Sequence, residues 1–471
     1  MTPEEFRKAG HQLIDWVADY RAGIASRPVM ANTAPGEIKR RLPAAPPDAP
    51  ESFDAIFADL ENVVMPGLTH WQHPRFFGYF PANADLAGVL GDYLSTGLGV
   101  LGITWLSSPA VTELEEVMAD WVRQMVGLSA NWSGVIQDTA STATLVALIE
   151  ARERTTKYGL AAGGLQDEEK PLTIYVAAHS HSSVEKGALL AGFGRRNIRV
   201  VAHDAEYAMR PDALEETVRL DLSRGARPCA VVATSGTTGT TAFDPIGAIA
   251  EIAERHGLWL HVDAAMAGSA MILPEMRRFW NGIEQADSVV LNPHKWLGAP
   301  SDCSLFYVRD PEHLVRVFST NPSYLRSATD EQVKNYRDWS IPLGRRFRAL
   351  KLWCLIRNEG VAGLQARVRR DLENAGWFGE RVIATPNWRV LAPVRLQTVC
   401  VRHEPPGLTG ETLDRHTFAW CERVNRSGKA FLTPAMLDGR WMVRVSIGAQ
   451  PTERGDVAAL WSLMREEAER G

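Results

Sequence analysis

An acid, an amine and a group of small hydroxyl residues stand at the ends of apolar runs in this chain. Asp263 ends the strongly apolar LWLHVDA, and Lys295 lies in LNPHKWLGAP, just after ADSVVL. A buried carboxylate must meet a cation or strong donors, and a structural salt bridge would already satisfy it. Burial of Lys295 would depress the pKa of its amine and make it nucleophilic. The stretch DTASTATLV places Thr139, Ala140 and Ser141 where a helix opens. Capping alone accounts for them, and the same free N–H groups and helix dipole would also hold a phosphate. An aspartate and a lysine on separate strand ends, beside a phosphate cradle, suggest pyridoxal 5′-phosphate. That cofactor needs a Schiff-base lysine and an acidic partner for its pyridine nitrogen.

Other patterns carry less. GTTGTT (236–241) lacks a following Gly-Lys-Ser/Thr, so a nucleotide P-loop is not supported, and no G-x-G-x-x-G follows the first strand. His179 and His181 read as loop histidines before a helix whose Ser182-x-x-Glu185 spacing forms a capping box. His256 and His261 read as structural. No cysteine or carboxylate cluster has metal-ligand spacing, so no metal site is expected.

These residues need a frame. The strand candidates are SGVIQ (133–137), LTIYVAA (172–178), IRVVA (198–202), CAVVATS (229–235), LWLHVDA (258–264) and SVVLN (288–292). Most are continuous apolar runs, as strands buried on both faces require. Helical patterns such as TATLVALIEARERTTK and FDPIGAIAEIAERHG separate them. The alternation predicts an α/β fold with a doubly wound, mostly parallel sheet, whose ligands bind beyond the carboxyl ends of the strands. The polar clusters above all lie at such ends. Before the sheet come a first amphipathic helix and a proline-rich arm, residues 26–52, which cannot continue a helix. Past about 375 a smaller unit begins, with strands near 388–402 and 441–447 and the closing helix VAALWSLMREEAER. The reading is three parts: an N-terminal helical and proline-rich segment (1–84), a large domain (85–375) and a small C-terminal α+β domain (376–471).

The bulk numbers agree with a globular enzyme. The chain has 471 residues, 45% hydrophobic and 23% charged, with a formal net charge of -5, which argues against phosphate-backbone binding as its main role. There is no apolar run of membrane-spanning length, the first residues do not read as a secretory signal, and the five cysteines form no disulfide framework. A cytoplasmic protein is the simplest expectation.

Taken in order, PGEIKRRLPAAPP, HWQHPRFFGYFPA, SSPAVTELE, HSSVEK, WLHVDAAMAGSA, NPHKWL and YRDWSIPLGRRFRALKLW make the chain resemble the pyridoxal-phosphate-dependent aromatic L-amino acid decarboxylases, the group II decarboxylases, nearly end to end. The resemblance implies the aspartate aminotransferase-like (type I) fold, with a seven-stranded sheet flanked by helices. It makes Lys295 the Schiff-base lysine and Asp263 the partner of the pyridinium nitrogen, with Thr238 supporting that aspartate. Thr139, Ala140, Ser141 and Asn292 would hold the phosphate, His181 would stack on the ring, and His294 would flank the lysine in the cofactor pocket. Tyr324, in NPSYLRS, matches a lid tyrosine that assists reprotonation at Cα. Relatives with phenylalanine there make aldehydes, so tyrosine favours simple decarboxylation.

Trp71, Tyr79, Phe80, Ala82, Leu101, Ile103 and Gly344 would line the substrate. Gly344 leaves room for a large ring, which points to tryptophan, 5-hydroxytryptophan and dopa, with phenylalanine and tyrosine as smaller candidates. Ala82 stands where animal relatives have threonine, Ile103 where they have an aromatic residue, and Asp138 and Thr142 flank the phosphate cradle unusually. An anion at 138 is expected to turn away. The family's site lies at a homodimer interface, so a homodimer is implied. The rivals are a glutamate decarboxylase, an aldehyde synthase or an aminotransferase on the same fold, and a non-catalytic relative.

Overall fold

The computed structural model describes residues 1–320, 325, 330 and 332–470. The chain divides into two compact units: Ala82–Glu373 with Ala392–Thr398, and Met1–Pro81 with Asn374–Leu391 and Val399–Gly471. Among the described residues, no helix is long and apolar enough to cross a membrane.

The second of these units begins with α1 (Pro3–Gly23), α2 (Glu37–Arg41) and α3 (Phe53–Asp59). The first turn of α1 is set by a Thr2–Glu5 capping box with Pro3 at the first helical position.

The larger unit carries α4 (Leu86–Leu98) and α5 (Pro109–Val126), and then a seven-stranded sheet. Its strands are β1 (Ser133–Gln137), β2 (Leu172–Ala177), β3 (Ile198–Val201), β4 (Arg227–Thr234), β5 (Trp259–Asp263), β6 (Ser288–Leu291) and β7 (Ser304–Val308), in the spatial order β1-β7-β6-β5-β4-β2-β3. The helices α6 (Ala140–Thr156), α7 (Ser182–Leu190), α8 (Pro211–Ser223), α9 (Ile246–His256), α10 (Pro311–Phe318) and α11 (Ala349–Ile383) complete the large unit's architecture, with α11 interrupted at Gly360.

Every residue of β2, β5, β6 and β7 is buried, which explains their unbroken apolar sequence. The six strands read from sequence are present, β1 with the expected bounds, β4 starting two residues earlier at Arg227, and the others shorter by one residue at one or both ends. The seventh, SLFYV, was not among them. It lies antiparallel to both β1 and β6, and a turn rather than a helix joins it to β6. Because β7 reverses direction, β1 and β6 run the same way. The carboxyl ends of β1, β2, β4, β5 and β6 therefore share one edge of the sheet, with Ser304, the first residue of β7, set between the ends of β1 and β6.

The C-terminal part of the smaller unit holds β8 (Trp388–Val390), β9 (Thr398–His403), α12 (Gly410–Arg426), β10 (Thr433–Leu437), β11 (Arg440–Ser446) and α13 (Arg454–Glu469), with sheet order β10-β11-β9-β8. The strand β10 was absent from the sequence reading.

In the larger unit, α4 is inverted. Its buried positions are Gly88, Gly91 and Ser95, while Leu86, Leu90, Tyr93, Leu94 and Leu98 are exposed. The glycines let the helix lie directly on the backbone of α11: a Cβ on Gly91 would sit 2.7 Å from Lys351 Cα and 3.0 Å from Leu350 O. Alanine is the better helix former by about 1 kcal/mol. Backbone overlap is harder to relieve, at about 1–3 kcal/mol. Gly91→Ala is therefore expected to lower the unfolding free energy, read as a lower urea midpoint at unchanged m-value.

Candidate active site

The cradle at the end of β1 is built from local chain geometry. Thr139 is extended and caps α6, its hydroxyl accepting from the Thr142 N–H at 3.4 Å. Asp138 does not turn away as expected: its carboxylate folds back to accept the Thr139 N–H at 2.6 Å, which satisfies the acid inside its own turn. Ala140 and Ser141 begin the helix, and Ser141 is exposed. Across from them Asn292 is 2% exposed, and its amide oxygen accepts from the Ser304 hydroxyl at 2.7 Å. That bond orients the amide and leaves its NH2 group as the donor for an anion. Ser304 is a site residue that sequence reasoning missed, because it opens the strand that was missed.

Lys295 lies in a single turn, Pro293–Leu297, where its own dihedrals leave the helical range (φ -97°, ψ -106°). The residue itself is half-buried, and its neighbours His294 and Trp296 are the buried ones. The turn is anchored at successive positions. His294 Nδ1 accepts from the Cys303 N–H at 3.0 Å. Asn83 donates its amide to Lys295 O at 3.3 Å. The Trp296 indole donates to Asp371 at 2.8 Å, and Arg367 donates to Leu297 O. Burial raises the Asp371 pKa to about 6, opposed by the charge of Arg370 and the bond from Trp296. Asn83, Arg367 and Asp371 were likewise invisible in sequence, since nothing local marks them as partners of a turn so far along the chain.

Asp263 is 5% exposed at the end of β5, and one of its oxygens accepts from the Ala265 N–H at 3.1 Å. Thr238 makes no hydrogen bond to it among the described residues. In that turn the Thr237 and Thr240 hydroxyls lie 3.0 Å apart, and the Thr241 hydroxyl donates to Thr240 O at 2.7 Å. His181 caps α7 itself, one residue before the capping box expected at Ser182, and Glu185 pairs with Arg195 at 2.7 Å instead. The His181 Nδ1 accepts from the Ser183 N–H at 3.2 Å, so a neutral ring carries its proton on Nε2. The ring's pKa lies below the ordinary histidine value, chiefly through burial, with Lys295 pushing the same way and Asp263 opposing. Asp263 and Lys295 thus both act electrostatically on the His181 ring.

Of the expected substrate-lining residues, Ala82, Leu101, Ile103 and Gly344 belong to the larger unit. Leu101 is exposed, Ile103 is half-buried, and a Cβ on Gly344 would meet nothing within 4 Å. Trp71, Tyr79 and Phe80 belong to the smaller unit, where Trp71 and Tyr79 stack at 5.3 Å and 9°. That segment is pinned to its own sheet. The Tyr79 N–H donates to Thr433 Oγ1 at 2.7 Å, Arg444 donates to Tyr79 O at 3.3 Å, and the Arg444 guanidinium lies 5.0 Å over the Phe80 ring. Tyr324 lies outside the described residues.

The donor set fits pyridoxal 5′-phosphate: N–H groups at the start of α6 and an oriented Asn292 amide for a phosphate, a nearly buried carboxylate, and a primary amine beside a flat imidazole. Comparison with known proteins agrees. Residues 35–404 match the family model described as the pyridoxal-dependent decarboxylase conserved domain. The chain is 40% identical to tryptophan decarboxylase 2 of Oryza sativa subsp. japonica, over 99% of this chain and 95% of that protein. It is equally 40% identical to phenylacetaldehyde synthase of Arabidopsis thaliana, over 99% and 96%. The crystal structure of Oryza sativa TDC with PLP and tryptamine superposes with a TM-score of 0.97 at 35% identity, covering 100% of this chain and 99% of that one.

Burial holds both His294 and His261 near a pKa of about 4, against an ordinary value of 6.5. Such rings are neutral in the fold and bind a proton only after unfolding. Between pH 6.5 and about 4 the unfolded chain therefore binds more protons, and stability falls as the pH is lowered. Each ring contributes a slope of about 1.4 kcal/mol per pH unit within that window. Asp371 and Asp244, raised by burial to about 6, act in the opposite direction below that pH, so the test is a difference between proteins. In urea titrations from pH 6.5 to 4, the slope of stability against pH is expected to be smaller in His261→Gln than in wild type by about 1.4 kcal/mol per pH unit.

Proposed function

This chain belongs to the group II pyridoxal-dependent decarboxylase family, in its aromatic amino acid branch, with the type I fold and pyridoxal 5′-phosphate as cofactor, and we propose that it removes CO2 from aromatic L-amino acids to leave the amines. The observation that carries this reading is the Lys295 turn, clamped on both sides, with Lys295 and Asp263 both acting on the His181 ring.

Bound at this site, the cofactor supplies a conjugated ring that accepts the electron pair released when a bond at Cα breaks. The chain's own residues do the rest. Lys295 would supply the amine that holds the cofactor in place. Asp263, whose carboxylate accepts the Ala265 N–H, would stand as the acidic partner of the ring nitrogen. The start of α6 and the Asn292 amide hold the phosphate. His181 would stand beside the ring, and as a neutral imidazole its remaining donor is Nε2. Tyr324 returns a proton to Cα after CO2 leaves.

A large aromatic side chain suits the open space over Gly344. The relative named tryptophan decarboxylase 2 supports an indole substrate, and the equally similar phenylacetaldehyde synthase supports a second reading, oxidative deamination to the aldehyde. Tyr324 favours the amine. We also propose a homodimer, because α4 presents a leucine stripe outward (Leu90 50%, Leu94 51% and Leu98 61% exposed) that water does not favour.

Incubating the holoenzyme with tryptophan, 5-hydroxytryptophan, dopa, tyrosine, phenylalanine and glutamate, and measuring amine, aldehyde and CO2, tests the reading. Aromatic amine with equimolar CO2 is expected; aldehyde with hydrogen peroxide, or turnover of glutamate alone, overturns it. Lys295→Ala is expected to abolish the visible absorbance of the bound cofactor along with activity. Leu94→Asp is expected to convert a dimer to monomers in analytical ultracentrifugation and to depress turnover with it.

A further inference from the structure

We infer that Arg345 is a positioning residue for substrate selection, acting through a buried ion pair with Glu115 that ties three segments of the site into one hydrogen-bonded body. The inference rests on the proposed activity and concerns how that activity discriminates among side chains.

The strand β1 is an edge strand, so the outward N–H and C=O groups of its residues have no neighbouring strand. Side chains take that place. The Ile136 N–H donates to Glu115 Oε1 at 2.8 Å, and Arg345 donates to Ile136 O at 2.9 Å while also pairing with the same Glu115 oxygen. Both side chains are 2% exposed. Farther along the edge, the Tyr336 hydroxyl donates to Gly134 O at 3.4 Å, Gln137 Nε2 donates to Trp339 O at 3.1 Å, and Ser340 donates to Gln137 Oε1. The segment 336–345 therefore runs beside β1 as a surrogate strand made of side-chain bonds.

That segment leads to the substrate-lining positions. Arg345 follows Gly344, and its carbonyl accepts from the Gly102 N–H at 2.9 Å, which fixes the residue between Leu101 and Ile103. Gly102 is pressed so closely that a Cβ would lie 2.7 Å from Val111. Asn335 holds the same loop from the other side, its Oδ1 accepting from the Trp105 N–H at 2.9 Å. One residue, through its carbonyl and its guanidinium, thus sets where the Leu101–Ile103 wall stands relative to Gly344, and relative to β1, which ends at Gln137, two residues before Thr139 in the phosphate cradle. A buried pair that breaks on losing one partner, rather than flexing, suits a part that must hold one spacing. Lysine does not replace it, because both bonds leave one guanidinium nitrogen, Nη2, which stands one bond farther from the backbone than a lysine amine reaches.

The test measures kcat/KM for tryptophan and for phenylalanine with the wild-type holoenzyme, Arg345→Lys, Glu115→Gln and Arg199→Met. Arg199 pairs with the buried Asp221 at the opposite sheet edge, β3, so its variant reports the cost of breaking a buried pair away from the site. The expected result is a change of about tenfold in the tryptophan-to-phenylalanine ratio for Arg345→Lys and Glu115→Gln, carried mainly by KM, with Arg199→Met within about twofold of wild type. A ratio that stays within about twofold in both site variants, or that moves as far in Arg199→Met, overturns the inference. Glu115→Gln keeps shape and volume and decides the matter if Arg345→Lys does not fold. Wild-type enzyme that turns over no aromatic amino acid overturns the proposed activity itself, a result visible before any variant is compared.

Discussion

An amine that must form and exchange a covalent bond can work only if the backbone beneath it stays put, and the turn 292–298 is built around that demand. Its residues are held from several directions: by the Cys303 N–H on His294, by Asn83 on the Lys295 carbonyl, and by Asp371 and Arg367 on Trp296 and Leu297. None of these bonds is strong singly, at about 1 kcal/mol net for a typical case. Their effect is mutual restriction, since each removes a different freedom of the same short turn. Asp371 and Arg367 both come from α11, the helix that also receives the glycine face of α4. The position of the reactive lysine is therefore set by a helix far from it in sequence.

The sheet supplies the second half of the site by direction alone. Parallel strands send their carboxyl ends to one edge, so any polar residue placed just past such an end is brought to the others without further design. The antiparallel β7 adds to this, because its first residue rather than its last lies at that edge. Ser304 reaches Asn292 for that reason.

The legible and illegible parts of the chain divide along these lines. Strands buried on both faces announce themselves as apolar runs, and the residues after them as polar clusters, so Thr139, His181, Asp263, Asn292 and Lys295 could be singled out from order and type. SLFYV is just as apolar, but no helix separates it from β6, and a pattern of strands alternating with helices passes over it. The partners that steady the site were hidden for a different reason. Glu115 and Arg345, or Trp296 and Asp371, lie far apart in the chain, and a charged residue on a helix reads as a solvated face until the fold shows it buried. Local rules also misplaced the α7 cap: Ser182 with Glu185 satisfied the usual spacing, whereas the His181 ring nitrogen took the role.

Tyr79 sits in the left-handed region at φ +51°, an uncommon conformation for a residue with a bulky side chain. Glycine there would relax the backbone by roughly 1 kcal/mol or more. It would also strip Trp71 of the ring it stacks on and leave Phe76 and Phe431 with one aromatic neighbour fewer. Backbone comfort and aromatic surface therefore pull in opposite directions at this one position. The tyrosine marks where the chain settles between the two.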